Sequence, residues 1–393
     1  MRVIHVITRL IVGGAQENTI ASVLGLQGKP GLQVSLISGP TTGPEGSLEK
    51  DFIQAGGELA IVPELVRPVH PLNDLLALQK LAAIFRAQKP DIVHTHSGKA
   101  GILGRLAAAR AGVPVIVHTI HGPSFGSFQG PLANVIFRAA ERRAGRVTTH
   151  FVTVANAMRD QYLAAGIGRP EDYTRVFSGF PTSPFLTAQN NPALRARLGF
   201  APEDIVVGKI ARLFKLKGHD DLFAAAPEIV ERNPRIKFLL VGDGEWRGKF
   251  EQKARDLGLQ KHFVFTGLVP PGEIPALVGI MDILVHLSTR EGLPRALPQA
   301  LAATKPVIAY DCDGAKEVCL ENETGYLVRP GDLGTLTERV LQLAGDAALR
   351  ERLGRRGQEF VRDNFAVEHM VDELHALYLK LWEKRNLAAP SFK

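Results

Sequence analysis

The 393-residue chain has only two cysteines, Cys312 and Cys319. Neither has a His or Cys partner at zinc-finger spacing, so no disulfide framework or structural metal is expected, and reduced cytosol is the natural compartment. There is no run of about 18 apolar residues, the length a helix needs to cross a bilayer, so no membrane span is predicted. The opening MRVIHVITRL is broken by His5, Thr8 and Arg9 and does not form the apolar centre of a signal peptide. Charge is not balanced: 47 Lys and Arg against 40 Asp and Glu leave a net charge of +7. That excess favours anionic partners, and nucleotides, phospholipid surfaces and nucleic acid all qualify. The length is too great for one ordinary core and predicts two domains of nearly equal size.

What the chain does have is one organising stretch, STREGLPRALPQALAA at Ser288–Ala303. An apolar run, Asp282–Ser288, precedes it and reads as a buried strand. Another, Pro306–Tyr310, follows after room for one short helix. Glu291 therefore stands where a strand ends, and Gly292-Leu293-Pro294 opens a helix whose first N–H groups favour an anion such as phosphate. Proline suits a helix start, where no N–H is needed. Pro298 places the first regular turn near Arg295 to Leu297, because a proline deep inside costs about 3 kcal/mol. A carboxylate is a poor neighbour for phosphate. Glu291 is better explained as an acceptor of hydrogen bonds from hydroxyls of the same ligand.

Strand and helix signals alternate through the first half. Val3–Ile7, Gln33–Ser38, Asp91–His96 and Val113–Gly122 read as strands, and Leu72–Gln88 as an amphipathic helix. This alternation predicts an α/β fold with a parallel sheet, and such sheets bind ligands at the carboxyl ends of their strands. Gly13-Gly14 follows the first strand and leads into a helix near Ala15, a weak phosphate signal strengthened by the order strand, glycine pair, helix. His94, His96, His118 and His121 lie at or near strand ends. His94 and His96 share a strand face and suit a metal, but no acidic partner follows at metallohydrolase spacing. Structural hydrogen bonding is the favoured reading of His94, His96 and His118. Lys99 either faces the ligand cleft or is a solvated lysine at a helix start. Phe125 and Phe128 precede Arg138, Arg142, Arg143 and Arg146, of which Arg138, Arg142 and Arg146 repeat at four-residue spacing. A basic helix behind aromatics suits an anionic membrane surface, and a solvated face is the alternative. Nucleic acid is not expected, since no recognised module accompanies the patch.

Arg175–Phe185 is rich in Gly, Pro and Ser and reads as the linker. In the second half a strand ends at Arg212, and Lys217-Gly218-His219 precedes a helix. An Arg and a Lys at one strand end both reach a pyrophosphate, the Arg as a fork and the Lys as a point charge. There they stabilise charge developing on a diphosphate leaving group. Lys237–Leu259 gives a strand, the turn Gly242-Asp243-Gly244 and a polar helix. Ala366–Lys384 is a final amphipathic helix.

In this order and spacing the motifs resemble those of the family 4 glycosyltransferases. The family pattern is a Glu, seven residues and a second Glu in an EG-[LF]-P setting. Glu291 matches the first, and Gln299 stands where the second is usual. GGAQ, THSGKAGILGRLAA with VHTIHG, the Arg212 to Lys217-Gly218 spacing and VGDG match as well. The resemblance implies a GT-B fold, α/β, with two Rossmann-like doubly wound domains facing a central cleft. Residues 1–180 would form the acceptor side, 181–365 the nucleotide-sugar side, and 366–393 a helix returning to the first domain. The implied activity is retaining transfer of a sugar from a UDP- or GDP-linked donor to an acceptor hydroxyl, in polysaccharide or glycolipid assembly. The expected catalytic group is Arg212 and Lys217 on the diphosphate, with Glu291 and His121 on the donor sugar. Gly13, Gly14, Gly242, Asp243, Leu268, Gly292, Leu293, Pro294 and Gln299 complete the expected donor site. Gln299 bonds a ribose hydroxyl without charge assistance, which predicts weaker donor binding. No metal and no cofactor is expected, because the two cations and a helix dipole do a metal's work. The expected partners are the donor and a sugar or lipid-linked acceptor. The expected place is the cytoplasm, with peripheral contact through the four arginines to the inner face of the cell membrane. Two readings compete: a sugar-nucleotide epimerase of the same fold, and a non-catalytic nucleotide-binding relative, which Gln299 favours. An NAD-dependent oxidoreductase would want a GxGxxG turn that Val12-Gly13-Gly14 does not give.

Overall fold

Apolar runs bounded by polar turns become the strands of two separate parallel sheets. The computed structural model describes residues 1–42, 46–126 and 128–388. The first sheet contains β1 (Arg2–Ile7), β2 (Gln33–Ser38), β3 (Leu59–Ile61), β4 (Ile92–His96), β5 (Val115–Ile120), β6 (His150–Thr153) and β7 (Tyr173–Arg175). Its order is β3-β2-β1-β4-β5-β6-β7, parallel throughout. The second contains β8 (Ile205–Ile210), β9 (Ile236–Val241), β10 (Phe263–Gly267), β11 (Ile283–His286), β12 (Val307–Tyr310) and β13 (Gly325–Val328). Its order is β10-β9-β8-β11-β12-β13, again parallel. Helices cover parallel sheets on both faces, which is why these strands are apolar without alternation. Each sheet reverses its winding once, between β1 and β4 and between β8 and β11. In doubly wound folds such switch points hold the ligand.

The chain divides into two units, Met1–Phe180 with the segment that begins at Val367, and Pro181–Ala366. The division falls inside the Gly- and Pro-containing stretch Arg175–Phe185. The C-terminal helix, Val367–Ala388, lies on the Gly14–Gln27 helix of the first unit. The two approach closely: a Cβ on Gly25 would stand 2.4 Å from Val371 Cγ2. Met370, Leu374 and Tyr378 are buried against this unit. The core of the second unit is built on the stacked rings of Phe223, Phe238, Phe250 and Phe263.

One helix starts late, where Pro298 placed its first regular turn. Pro294 does not open the helix after Glu291; the helix runs Ala296–Ala302. Starting at Ala296 puts Pro298 among the first turn's N–H positions, which have no intrahelical partner anyway. A start at Pro294 would have set Pro298 where a bonded N–H is needed.

Candidate active site

In the second unit, the switch point brings the end of β8 beside the end of β11. The loop after β8 carries Arg212 and Lys217 and closes at Gly218, which begins the His219–Arg232 helix. Gly218 has φ +65°, and a Cβ there would stand 2.0 Å from the Leu287 carbonyl oxygen. Only glycine accepts both the left-handed backbone and this approach. The approach lets Lys217 Nζ donate to Glu291 Oε1. The Glu291 backbone N–H donates to Asp313 Oδ2 at 2.9 Å, and His286 Nε2 lies 3.9 Å from Glu291 Oε1. Burial works to raise the Glu291 carboxyl, but Lys217 and then His286 outweigh it and hold it below the ordinary carboxylate value.

Arg212 is exposed, and its guanidinium has no ion pair among the described residues. Its carbonyl accepts from His219 Nε2 at 3.0 Å, which ties the loop to the helix it precedes. The Gly242-Asp243 turn is stitched to the same loop. Leu213 N–H donates to the Asp243 carbonyl at 2.9 Å, and a Cβ on Gly242 would meet the Ala211 oxygen at 2.4 Å. Asp243 Oδ1 caps the turn by accepting from Gly244 N–H at 2.8 Å. Arg212, Lys217, Gly242, Asp243 and Glu291 are thus gathered at one end of the second sheet. Gly292, Leu293 and Pro294 are buried beside Glu291. Gln299 is half-buried on the Ala296–Ala302 helix, its amide without a protein partner among the described residues. Leu268 follows β10 and is 69% exposed.

Sequence reasoning missed Lys209. It sits in β8 and is 1% exposed, with no hydrogen bond to Nζ among the described residues. Burial, and then the Lys217 charge, push its ammonium down to about 7 against the pull of Glu291 and Asp221. The signal was present: a lysine in the middle of the apolar run VVGKIA is an anomaly.

In the first unit, Gly13 and Gly14 lead from β1 into the Gly14–Gln27 helix. His121 follows β5, and its Nε2 lies 3.0 Å from His96 Nδ1. His96 Nε2 meets His5 Nδ1 at 2.9 Å, and His5 Nε2 meets the Tyr378 hydroxyl at 3.2 Å. That hydroxyl meets His94 Nδ1 at 2.5 Å, and His94 Nε2 meets Thr119 Oγ1 at 2.6 Å. Nitrogens of His5, His94 and His96 lie within 4.8 Å of one another, a spacing that would suit a metal. Yet all six ring nitrogens of these three residues already have hydrogen-bond partners. Burial pushes His5 down to about 3 and His121 to about 4, and with neighbouring charges holds His94 and His96 far below the ordinary imidazole value. The rings are neutral at pH 7. His118 stands apart, bonded to Thr95 Oγ1 at 2.9 Å.

Lys99 is not a freely solvated lysine: it is half-buried and tied to Asp74 and to the Pro68 carbonyl. Phe125 is not a surface aromatic either, because it is buried with its ring 5.0 Å from that of Tyr162. On the Pro131–Gly145 helix, Arg142 and Arg143 are exposed and Arg138 is half-buried, with Arg146 exposed just beyond. The same helix exposes Leu132, Val135 and Ile136 at one-turn spacing, which the sequence reading did not single out. Among the described residues no helix is long and apolar enough to cross a membrane.

Comparison with known proteins gives a consistent set of matches. Residues 14–178 match the "Glycosyl transferase 4-like domain" and residues 190–360 match "Glycosyl transferases group 1". A UDP-Gal:alpha-D-GlcNAc-diphosphoundecaprenol alpha-1,3-galactosyltransferase of Escherichia coli is 27% identical, over 88% of this chain and 87% of the relative. A GDP-mannose-dependent alpha-(1-6)-phosphatidylinositol monomannoside mannosyltransferase of Mycolicibacterium smegmatis is 31% identical, over 67% of this chain and 69% of the relative. HepE of Anabaena, solved with UDP-glucose, shares the fold with a TM-score of 0.81, at 22% identity over 97% of this chain and all of that one.

Proposed function

The chain belongs to the family 4 glycosyltransferases and is a nucleotide-sugar-dependent enzyme; we propose that it moves a hexosyl group from a UDP- or GDP-sugar to a hydroxyl of a lipid-linked acceptor, with retention of configuration. The observation that carries this is Arg212, an exposed cation without an ion pair among the described residues, beside the Lys217–Glu291 pair at the switch point of the second sheet. Arg212 and Lys217 neutralise the diphosphate as it leaves. Glu291 is kept ionised by Lys217 and accepts from hydroxyls of the sugar. Its charge is committed to that lysine, which makes it a poor nucleophile at the anomeric carbon. A front-face displacement fits better. The anomeric carbon–diphosphate bond breaks, the acceptor oxygen bonds to the carbon on the same face, and the acceptor proton passes to a diphosphate oxygen. Gln299 serves the ribose, and His121 donates to a sugar hydroxyl.

The test is a thermal-shift screen of UDP, GDP, ADP and their common sugar conjugates. A ligand at one hundred times its dissociation constant adds about 2.7 kcal/mol, an easily seen shift. One nucleotide should stabilise the protein selectively, and Gln299→Glu should tighten that binding by adding charge assistance at the ribose. No stabilisation by any of them would favour a non-catalytic relative.

Acceptor class and place of action go together. The two relatives are named for acceptors that join a lipid to phosphate. The exposed Leu132, Val135 and Ile136, continued by Arg142, Arg143 and Arg146, make a helix apolar at one end and basic at the other. This suits the cytoplasmic face of an anionic bilayer, with the apolar end dipping among acyl chains. Leu132→Asp/Ile136→Asp is expected to abolish co-sedimentation with phosphatidylglycerol-containing vesicles and leave donor binding intact. Retained vesicle binding would remove this helix from the membrane contact.

A further inference from the structure

The buried chain from Thr119 to His121 has a property that its individual bonds do not. Five hydrogen bonds link Thr119, His94, Tyr378, His5, His96 and His121 in series. A neutral imidazole has one N–H donor and one bare nitrogen, and a phenol has one O–H. Each inner imidazole therefore accepts from one neighbour and donates to the other. The Tyr378 oxygen has room to accept from both, but its own buried proton would then be left without an acceptor, so Tyr378 also donates to one neighbour. All five bonds must point the same way, so the direction at one end dictates which nitrogen is protonated at the other.

Thr119 supplies the direction. It is 4% exposed, and His94 is the only partner of its hydroxyl among the described residues. The small cavity beside it is lined by Val152, Val154, Val176, Met370 and Leu374 together with the polar Asn18 and Ser22. Asn18 and Ser22, also at that cavity, already donate to Met370 Sδ and to the Asn18 carbonyl. A buried donor left unmade is costly, so the Thr119 proton goes to His94 Nε2. His94 Nδ1–H then donates to Tyr378, Tyr378 O–H to His5 Nε2, His5 Nδ1–H to His96 Nε2, and His96 Nδ1–H to His121 Nε2.

We infer that this chain is a tautomer lock: Thr119 and Tyr378 act as positioning residues that hold His121 as a neutral imidazole presenting Nδ1–H, a fixed hydrogen-bond donor for a ligand hydroxyl. The depressed values of the four rings agree, since none of them is charged at neutral pH. The lock gives the C-terminal helix a functional task. Tyr378 is the one member from outside the sheet strands and the loops that end them, and it joins His94 to His5, which offer each other no direct hydrogen bond. The consequence for turnover rests on the proposed role of His121 at a sugar hydroxyl; the tautomer itself does not.

The experiment is a long-range proton–nitrogen correlation on the full chain with 15N-labelled histidine at pH 7.5, with His121 assigned through His121→Gln. The expected wild-type result is one tautomer with Nδ1 protonated. A protonated Nε2, or a mixture, would overturn the proposal. Thr119→Ser keeps the hydroxyl and should keep the tautomer. Thr119→Val and Tyr378→Phe each interrupt the series and should release His121 to a mixture or to the Nε2–H form. An unchanged His121 in both folded variants would sink the lock. The kinetic companion is a loss in kcat of about three- to tenfold for Thr119→Val, the scale of one misdirected neutral hydrogen bond, with Thr119→Ser near wild type. A tautomer that responds as expected while kcat does not change would leave the lock standing and remove His121 from the sugar site.

Discussion

Lys217→Ala is expected to lower kcat by roughly two to three orders of magnitude, the usual cost of removing one preorganised charge from a developing anion. The variant suffers a second loss. Lys217 is the main influence opposing the burial that works to raise the Glu291 carboxyl. With the lysine gone, burial faces only the weaker pulls of His286 and the Ser288 hydroxyl, and the carboxyl rises. The sign follows from the direction of the shift. A carboxylate held low in the folded protein contributes stability above its unfolded value and loses it as pH falls through the folded one. In the wild type this window lies well on the acid side. In Lys217→Ala the acid limb of kcat/KM should move toward neutral pH, because Glu291 now protonates more readily. Arg212→Ala provides the control. It removes the other cation and should cost turnover on a similar scale, but Arg212 is not among the groups that shift Glu291, so the acid limb should stay in place. Wild-type kinetics in both variants would remove these residues from the leaving-group site. Equal movement of the acid limb in both would refute the special role given to the Lys217–Glu291 pair.

This pair also shows where the sequence stops being informative. Glu291 and Lys217 were each legible as strand-end residues, because buried parallel strands are continuous apolar runs and the polar residue that ends one stands out. Their contact was not legible. They are 74 positions apart, and they meet only because β8 and β11 are neighbours at a winding reversal. Strand order is a long-range property, and no local pattern encodes it. The histidines make the same point over a longer span: His5 and Tyr378 are 373 positions apart and share a hydroxyl only because the last helix returns to the first unit. Phe125 failed in the opposite sense. A phenylalanine in a glycine-containing loop looks the same whether it meets solvent or Tyr162, so its place under the surface had no local signature. Lys209 lies between these cases. Its presence in an apolar run announced a buried charge, but not the neighbours that set its behaviour.

Glu141→Ala should be the most destabilising single substitution in the first unit. Arg105 and Glu141 are both fully buried, joined at 2.5 Å between Nη2 and Oε2. Arg105 Nε also donates to the Gly101 carbonyl at 2.7 Å, and Ser124 Oγ donates to Glu141 Oε1 at 2.8 Å. Removing the carboxylate leaves a guanidinium in the interior with no counter-charge, and arginine cannot escape by losing its proton. Splitting such a pair costs about 3–5 kcal/mol. At about 2–4 °C per kcal/mol for a unit of this size, its melting temperature should fall by roughly 6–20 °C. Arg105→Met/Glu141→Leu separates two explanations. If the pair is kept for net stability, the double variant should be as poor as the single. If the loss comes from stranding one charge, removing both should restore most of the melting temperature, because the desolvation cost of both ions disappears with their attraction. The second outcome is the expected one, measured by calorimetry and by protease resistance of the first unit. A shift below about 1 °C in Glu141→Ala would show that the guanidinium reaches water when its partner is lost, and that this interior is looser than its packing implies.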